Sequence, residues 1–139
     1  MITNADLLAL DGKPGDFTVK VRKRPRYIDA DKCTACGLCT QYCPKHLEDA
    51  YNEGLALTRP IHIDYAQAVP ATYYIDPSAC MSVQHDTCQI CVPVCQSHAI
   101  DFGQQPEEVD IKVGAMVLSP GFGRIDDATL EKYSYGLHP

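Results

Sequence analysis

Two groups of cysteines constrain this 139-residue chain more than any other feature of it. The first reads Cys33-x2-Cys36-x2-Cys39-x3-Cys43-Pro44 and the second Cys80-x7-Cys88-x2-Cys91-x3-Cys95. Three thiols at successive two-residue gaps lie on one tight loop, where each can take a different iron of a 4Fe–4S cubane. A fourth thiol three residues later, followed by proline, is the spacing in which the last cysteine ligates the other of two clusters. The crossed rule expects cluster one on Cys33, Cys36, Cys39 and Cys95, and cluster two on Cys80, Cys88, Cys91 and Cys43. Gln96 stands where the proline would be in the second group, which removes no ligand.

Zinc and disulfides are the competing uses of so many cysteines. Zinc ligands usually come as two pairs divided by a spacer, which fits three evenly spaced thiols poorly. Disulfides need an oxidising compartment. Residues Met1 to Gly15 lack a basic stretch leading into a long apolar core, so no secretory signal is read there and a cytoplasmic location is expected. His46, His85 and His98 are not expected to be ligands, because eight cysteines already match eight irons.

The two cysteine stretches repeat each other. Tyr27-Ile28-Asp29 precedes Cys33 at the spacing by which Tyr74-Ile75-Asp76 precedes Cys80, and His46 and His98 each lie three residues after a fourth cysteine. The offset is 47 residues at the first cysteine and 52 at the other three, which places a five-residue insertion within Met81–Thr87. Such a duplication implies two similar halves about a pseudo-twofold axis. The fold class expected is α+β: a two-cluster domain of βαβ-type halves, with extra strands from the flanks. Residues 1–26 form a lead-in with a strand over Phe17–Val21, after a turn at Lys13-Pro14-Gly15-Asp16. Residues 27–110 form the cluster-binding domain, with a short strand at Ile61–Ile63. Residues 111–139 hold a strand over Ile111–Leu118 and a turn at Pro120-Gly121-Phe122-Gly123. Pro44 is expected to open a helix over Lys45–Tyr51, and Tyr27 and Tyr74 to pack near the clusters.

Charge narrows the partners. The formal net charge is −6, and from Pro44 onward thirteen acids face five bases. Lys20, Arg22, Lys23, Arg24 and Arg26 form a basic run that suits either an acidic partner or a solvated strand edge. An acidic chain of this kind is a poor nucleic-acid binder. No run of about 18 apolar residues suggests a membrane span. Two oxidised cubanes with eight thiolates would make the chain about four charges more negative, which disfavours adding electrons and points to low potentials. There is no dinucleotide or Walker motif and no acid–base pair, so catalysis by this chain alone is not expected.

Beyond the cysteines, four stretches carry a resemblance: Val21-Arg22-Lys23-Arg24-Pro25-Arg26-Tyr27-Ile28, Gln67-Ala68-Val69-Pro70, Ala99-Ile100-Asp101-Phe102, and Val113 to Phe122. Together they resemble the ferredoxin-type domain in the A subunit of heterodisulfide reductase, over about Gly15 to Pro139. The resemblance implies a piece of a longer oxidoreductase subunit, whose flavin domain binds FAD outside this chain. It also implies electron relay through two 4Fe–4S clusters to the flavin domain and to other redox subunits. Leu118-Ser119-Pro120-Gly121 departs from the family's usual ending at this point, so flavin contact there is not carried over. The tail strand could then also pair with a second copy. The alternatives are a free-standing two-cluster ferredoxin and a zinc-stabilised interaction module.

Overall fold

The computed structural model describes residues 1–121 together with Leu130, Tyr133 and Ser134. Over residues 1–121 it is a mixed α/β arrangement of three small antiparallel sheets and three short α-helices. Strands β1 (Ala5–Lys13) and β2 (Asp16–Lys23) form a hairpin, and β7 (Glu107–Val113) pairs with the other edge of β2. The hairpin closes over Pro14-Gly15, with Lys13 opposite Asp16. Proline pre-sets the first turn position, and Gly15 supplies the positive φ of 93° that the second requires.

The two faces of this sheet differ. An irregularity between Leu7 and Ala9 shifts the register of β1, so Leu7 and Leu10 fall on one side. That side continues through Val21 and Val109 opposite Leu7, and through Val19 and Ile111 opposite Leu10. The other side carries Lys20 and Arg22 opposite Asp110 and Glu108, while Lys23 and Glu107 close the apolar side at its end. The basic run is largely spent within the chain: Arg22 meets Glu108 at 2.8 Å, Lys23 meets Glu107 at 3.0 Å, Lys20 meets Asp110 at 4.0 Å and Arg24 meets Asp6 at 3.5 Å. These are exposed pairs of small individual worth, and the run reads as a solvated strand surface.

A second body of structure lies between β2 and β7. Its buried core is Ile28, Cys39, Ile61, Ile75 and Ala99. Strand β5 (Ile61–His62) pairs with β6 (Tyr74–Ile75), while Ile28 bridges to Ile100. The same local plan occurs twice. Asp29 N donates to the Ala99 carbonyl and Asp76 N to the Pro60 carbonyl, both at 2.7 Å. Each aspartate then turns the chain with its own side chain, accepting from Asp31 N at 3.0 Å in one case and Ser78 N at 2.8 Å in the other. Cys33 N and Cys80 N donate back to the carbonyls of Asp29 and Asp76, both at 3.0 Å. Asp and Ser favour such turns because their short polar side chains replace a backbone partner. Lys32 holds the Asp29 carboxyl below its ordinary pKa by hydrogen bonding, assisted by Asp31 N.

Several local expectations are corrected. No helix follows Pro44. Lys45 leads into β3 (Leu47–Glu48), paired with β4 (Leu57–Thr58), with a 3-10 turn at Ala50–Asn52 between them. The helices precede the fourth cysteines instead: α1 spans Leu38–Tyr42 and α3 spans Cys91–Val94. Proline biases the residue before it toward extended backbone, and Cys43 is extended at φ −69°, ψ 121°. Pro44 therefore stops α1 rather than starting a helix. The tail strand begins at Glu107 and ends at Val113; Gly114 to Ser119 carry no regular structure. The expected turn at Pro120–Gly123 extends beyond the described residues after Gly121, and most of 122–139 lies outside them. The lead-in contains β1, a strand the alternation pattern did not announce.

Candidate metal centre

Each cysteine group is shaped by a left-handed backbone step and a single helical turn. In the first, Ala35 (φ 55°) and Gly37 (φ 80°), on either side of Cys36, bend the loop between Cys33 and Cys39. Gly37 is also closed off by Tyr73: a β-carbon there would stand 3.1 Å from the Tyr73 hydroxyl oxygen. Helix α1 then turns Cys39 into the core and leaves Cys43 at its far end. In the second group the insertion is helix α2 (Met81–His85), which begins directly after Cys80 and ends at Asp86 in the left-handed conformation. Cys88 follows in the loop, Cys91 opens α3 and Cys95 closes it. The extra residues are thus taken up as one helical turn between the first two cysteines.

The eight thiols gather around two cavities. One is lined by Cys33, Cys36, Cys39 and Cys95. The other is lined by Cys43, Cys80, Cys88 and Cys91. In each, three cysteines come from one group and the fourth from the other. None is in a disulfide. Among the described residues no three of His, Cys, Asp or Glu converge as they would on a single metal ion. The thiols ring a space instead, and a ring of four thiols around a void is a donor set that fits an iron–sulfur cubane.

Burial and hydrogen bonding treat the thiols differently. Burial pushes Cys39 up to about 11, an effect that hydrogen bonds from Thr40 only partly offset. Burial likewise pushes Cys91 up to about 12, reinforced by the nearby Cys80. At Cys95 burial also raises the thiol, but hydrogen bonding outweighs it and the net shift is downward. Ala99 N donates to Cys95 Sγ at 3.3 Å, and Ser97 Oγ lies 3.6 Å from it. Iron binding replaces the thiol proton, and it must do so against burial at Cys39 and Cys91.

Tyr27 and Tyr74 are not the aromatic residues that line the cavities, although Tyr27 packs against the core that holds Cys39. Tyr27 packs on Phe102 with ring centroids 6.4 Å apart, and Tyr74 packs on His62 at 4.6 Å. Tyr73 and Phe102 line the cavities, where Tyr27 and Tyr74 do not. Tyr73 is one residue from the repeated Tyr-Ile-Asp, and no repeat signal marks it. Burial and the thiols of Cys39, Cys36 and Cys33 raise its phenol pKa. His46, His85 and His98 are exposed and line neither cavity.

The spacing, the thiol rings and the similarity to known proteins agree on a class. Residues 26–46 match the 4Fe-4S binding domain, a stretch that holds Cys33, Cys36, Cys39 and Cys43. Within residues 26–46 the chain carries a 4Fe-4S binding sequence of ferredoxin type. Nearly its whole length is similar to part of the A subunit of heterodisulfide reductase. In Methanosarcina acetivorans, the A subunit of ferredoxin:CoB-CoM heterodisulfide reductase is 39% identical over 137 residues, covering 99% of this chain and 17% of that protein. In Methanothermobacter thermautotrophicus, the A subunit of H(2):CoB-CoM heterodisulfide,ferredoxin reductase is 37% identical over 138 residues, covering 99% and 20%. In Methanopyrus kandleri, an iron-sulfur A subunit of CoB–CoM heterodisulfide reductase is 40% identical over 138 residues, again covering 99% and 20%. The chain spans about a fifth of the length of these curated relatives. No helix among the described residues is long and apolar enough to cross a membrane.

Proposed function

We propose that this chain holds two 4Fe–4S clusters and relays electrons between them. The first would be bound by Cys33, Cys36, Cys39 and Cys95, and the second by Cys43, Cys80, Cys88 and Cys91. The observation that carries this is the pair of four-cysteine cavities, each completed by the last cysteine of the other group. When bound, the clusters supply one-electron chemistry, while the chain supplies ligands, spacing and insulation. Cys80, Cys88 and Cys91 line one cavity together with Cys43 despite the insertion, so the insertion gives no reason to expect a smaller group there. The matched hydrogen bonds around Asp29 and Asp76 support a pseudo-twofold relation between the halves.

The relay is read as part of a flavin oxidoreductase like the A subunit of heterodisulfide reductase, with residues 27–110 as the cluster domain. FAD would lie in the rest of that longer chain, and electrons would pass between it and other redox subunits. Two facts support a longer parent: similarity over 99% of this chain to segments of much longer proteins, and the apolar side of the β1-β2-β7 sheet. On that side Leu7 is 52% and Leu10 44% exposed, a surface suited to burial against the flavin-bearing remainder.

Iron and acid-labile sulfide should be measured on anaerobically purified protein, with an EPR spectrum after reduction. About eight irons and eight sulfides per chain, with signals of two interacting reduced cubanes, are the expected result. Zinc without sulfide would replace this reading with a structural module.

A further inference from the structure

The fourth cysteines, Cys43 and Cys95, occupy matching places in the repeat but meet different surroundings. Cys95 Sγ receives the Ala99 N–H at 3.3 Å and has Ser97 Oγ at 3.6 Å. The residue matching Ser97 is Lys45. Cys43 Sγ there faces a carbonyl, Lys45 O, at 3.9 Å, which can donate nothing to it. As a thiolate, Cys95 has an N–H and a hydroxyl to accept from, whereas the neighbour found for Cys43 would repel a thiolate. Hydrogen bonds to a ligand sulfur spread its negative charge and favour the reduced, more negative centre.

Two other features point the same way. Cys36 is exposed, while Cys43, Cys80, Cys88 and Cys91 are all partly buried. Water at a centre favours the added electron. The cavity of Cys33, Cys36, Cys39 and Cys95 is lined by the hydroxyl-bearing Thr34, Tyr73 and Ser97 beside the apolar Ile28, Leu38 and Ile100, whereas among the described residues no Ser, Thr or Tyr lines the other. Lys45 lines the second cavity and opposes the trend through its charge. Lys45 is half-buried, and its ammonium sits at the end of a flexible stem, so solvent weakens its effect on the cavity. The Cys95 donors act at contact distance on the ligand sulfur itself.

We propose that Ser97, together with the Ala99 N–H, makes the centre held by Cys33, Cys36, Cys39 and Cys95 the more easily reduced of the two. This rests on the two-cluster reading above. Ser97 is a positioning residue that acts through Cys95. With both clusters bound, one electron would pass from a reduced second centre to an oxidised first, with no bond formed or broken and no proton moved. Cys33, Cys36, Cys39 and Cys95 would then hold the centre where electrons collect, beside the exposed Cys36.

The test is an anaerobic redox titration followed by EPR, on wild-type protein and on Ser97→Ala, Ser97→Gly and Ser97→Thr. Two resolved midpoints are expected in the wild type. Removing the hydroxyl, in either Ser97→Ala or Ser97→Gly, should shift the higher midpoint downward and leave the lower one in place. Ser97→Thr keeps the hydroxyl and should restore the wild-type value, which a purely structural effect of the Ala and Gly variants would not predict. In protein with full iron and sulfide, movement of the lower midpoint, movement of neither, or a single common midpoint overturns the proposal alone. Wild-type protein carrying only about four irons overturns the two-cluster reading and this proposal with it.

Discussion

Cys95 and Cys33 line one cavity, although they belong to different cysteine groups and lie 62 positions apart in the chain. What brings them together is the bridge between Ile28 and Ile100, reinforced by the Asp29 N to Ala99 carbonyl hydrogen bond at 2.7 Å. The same relation holds for Cys43 and Cys80 through the pairing of Ile61 with Ile75. Each cavity therefore depends on a backbone pairing between distant stretches, an isolated bridge in one case and a short strand pair in the other.

The shared cavities make a selective prediction. Cys43→Ala should damage the centre held by Cys80, Cys88 and Cys91, and Cys95→Ala the centre held by Cys33, Cys36 and Cys39. Iron analysis and EPR of the two variants should show complementary losses, each leaving about four irons per chain. Selective loss of the Cys33 centre in Cys43→Ala would sink the crossed assignment.

Gly37 offers a probe of the first loop. Its φ of 80° and the Tyr73 hydroxyl close by both resist a side chain. Gly37→Ala should cost about 1–2 kcal/mol from the backbone conformation alone. The expected readout is faster bleaching of visible absorbance in air, arising from the centre beside Tyr73. Bleaching at the wild-type rate would show that the loop relaxes freely.

Ile75 is only 1% exposed and belongs to the strand pair that closes the second cavity. Ile75→Ala should lower stability by about 2–5 kcal/mol through lost transfer energy and a residual void. Leu57, 69% exposed, serves as the control, and its replacement by Ala should cost far less. Anaerobic guanidinium unfolding followed by circular dichroism measures both.

Tyr74 gives a pH dependence. Its hydroxyl lies 2.8 Å from His62 Nε2 and donates to Asp64 Oδ1 at 3.0 Å. Burial, then the hydrogen bond to Asp64, raises its pKa above the ordinary value. A raised pKa means the folded chain holds this proton longer than the unfolded one. The stabilisation is then complete below pH of about 10, where unfolded tyrosine titrates, and is lost as pH rises through the folded value. Tyr74→Phe should cost about 1 kcal/mol at neutral pH and lack this alkaline component. Parallel stability–pH curves for the two proteins above pH of about 10 would contradict it.

Much of the local plan is legible in the residues. The strand over Phe17–Val21 lies within β2, and the Pro14-Gly15 turn closes its hairpin, because alternation and turn chemistry are short-range signals. Strand β1 is obscured by its own irregularity, which breaks the period that would have marked it. The helix expected after Pro44 does not form. Seven residues gain little from helical hydrogen bonds against the cost of nucleation, and Leu47 and Glu48 find partners in Thr58 and Leu57 instead.

Residue identity and spacing alone are enough for the iron–sulfur class, the positions of the eight thiols, the internal repeat and the place of the insertion. None of these needs knowledge of distant contacts. Folding in three dimensions settles the rest: which thiols share a cavity, that Tyr73 and Phe102 are the aromatic residues that line the cavities, that Cys95 has donors Cys43 lacks, and that the basic run is matched by acids on neighbouring strands. Those outcomes depend on pairings between residues far apart in the chain. Strand register and core packing choose such pairings, and no local pattern encodes them.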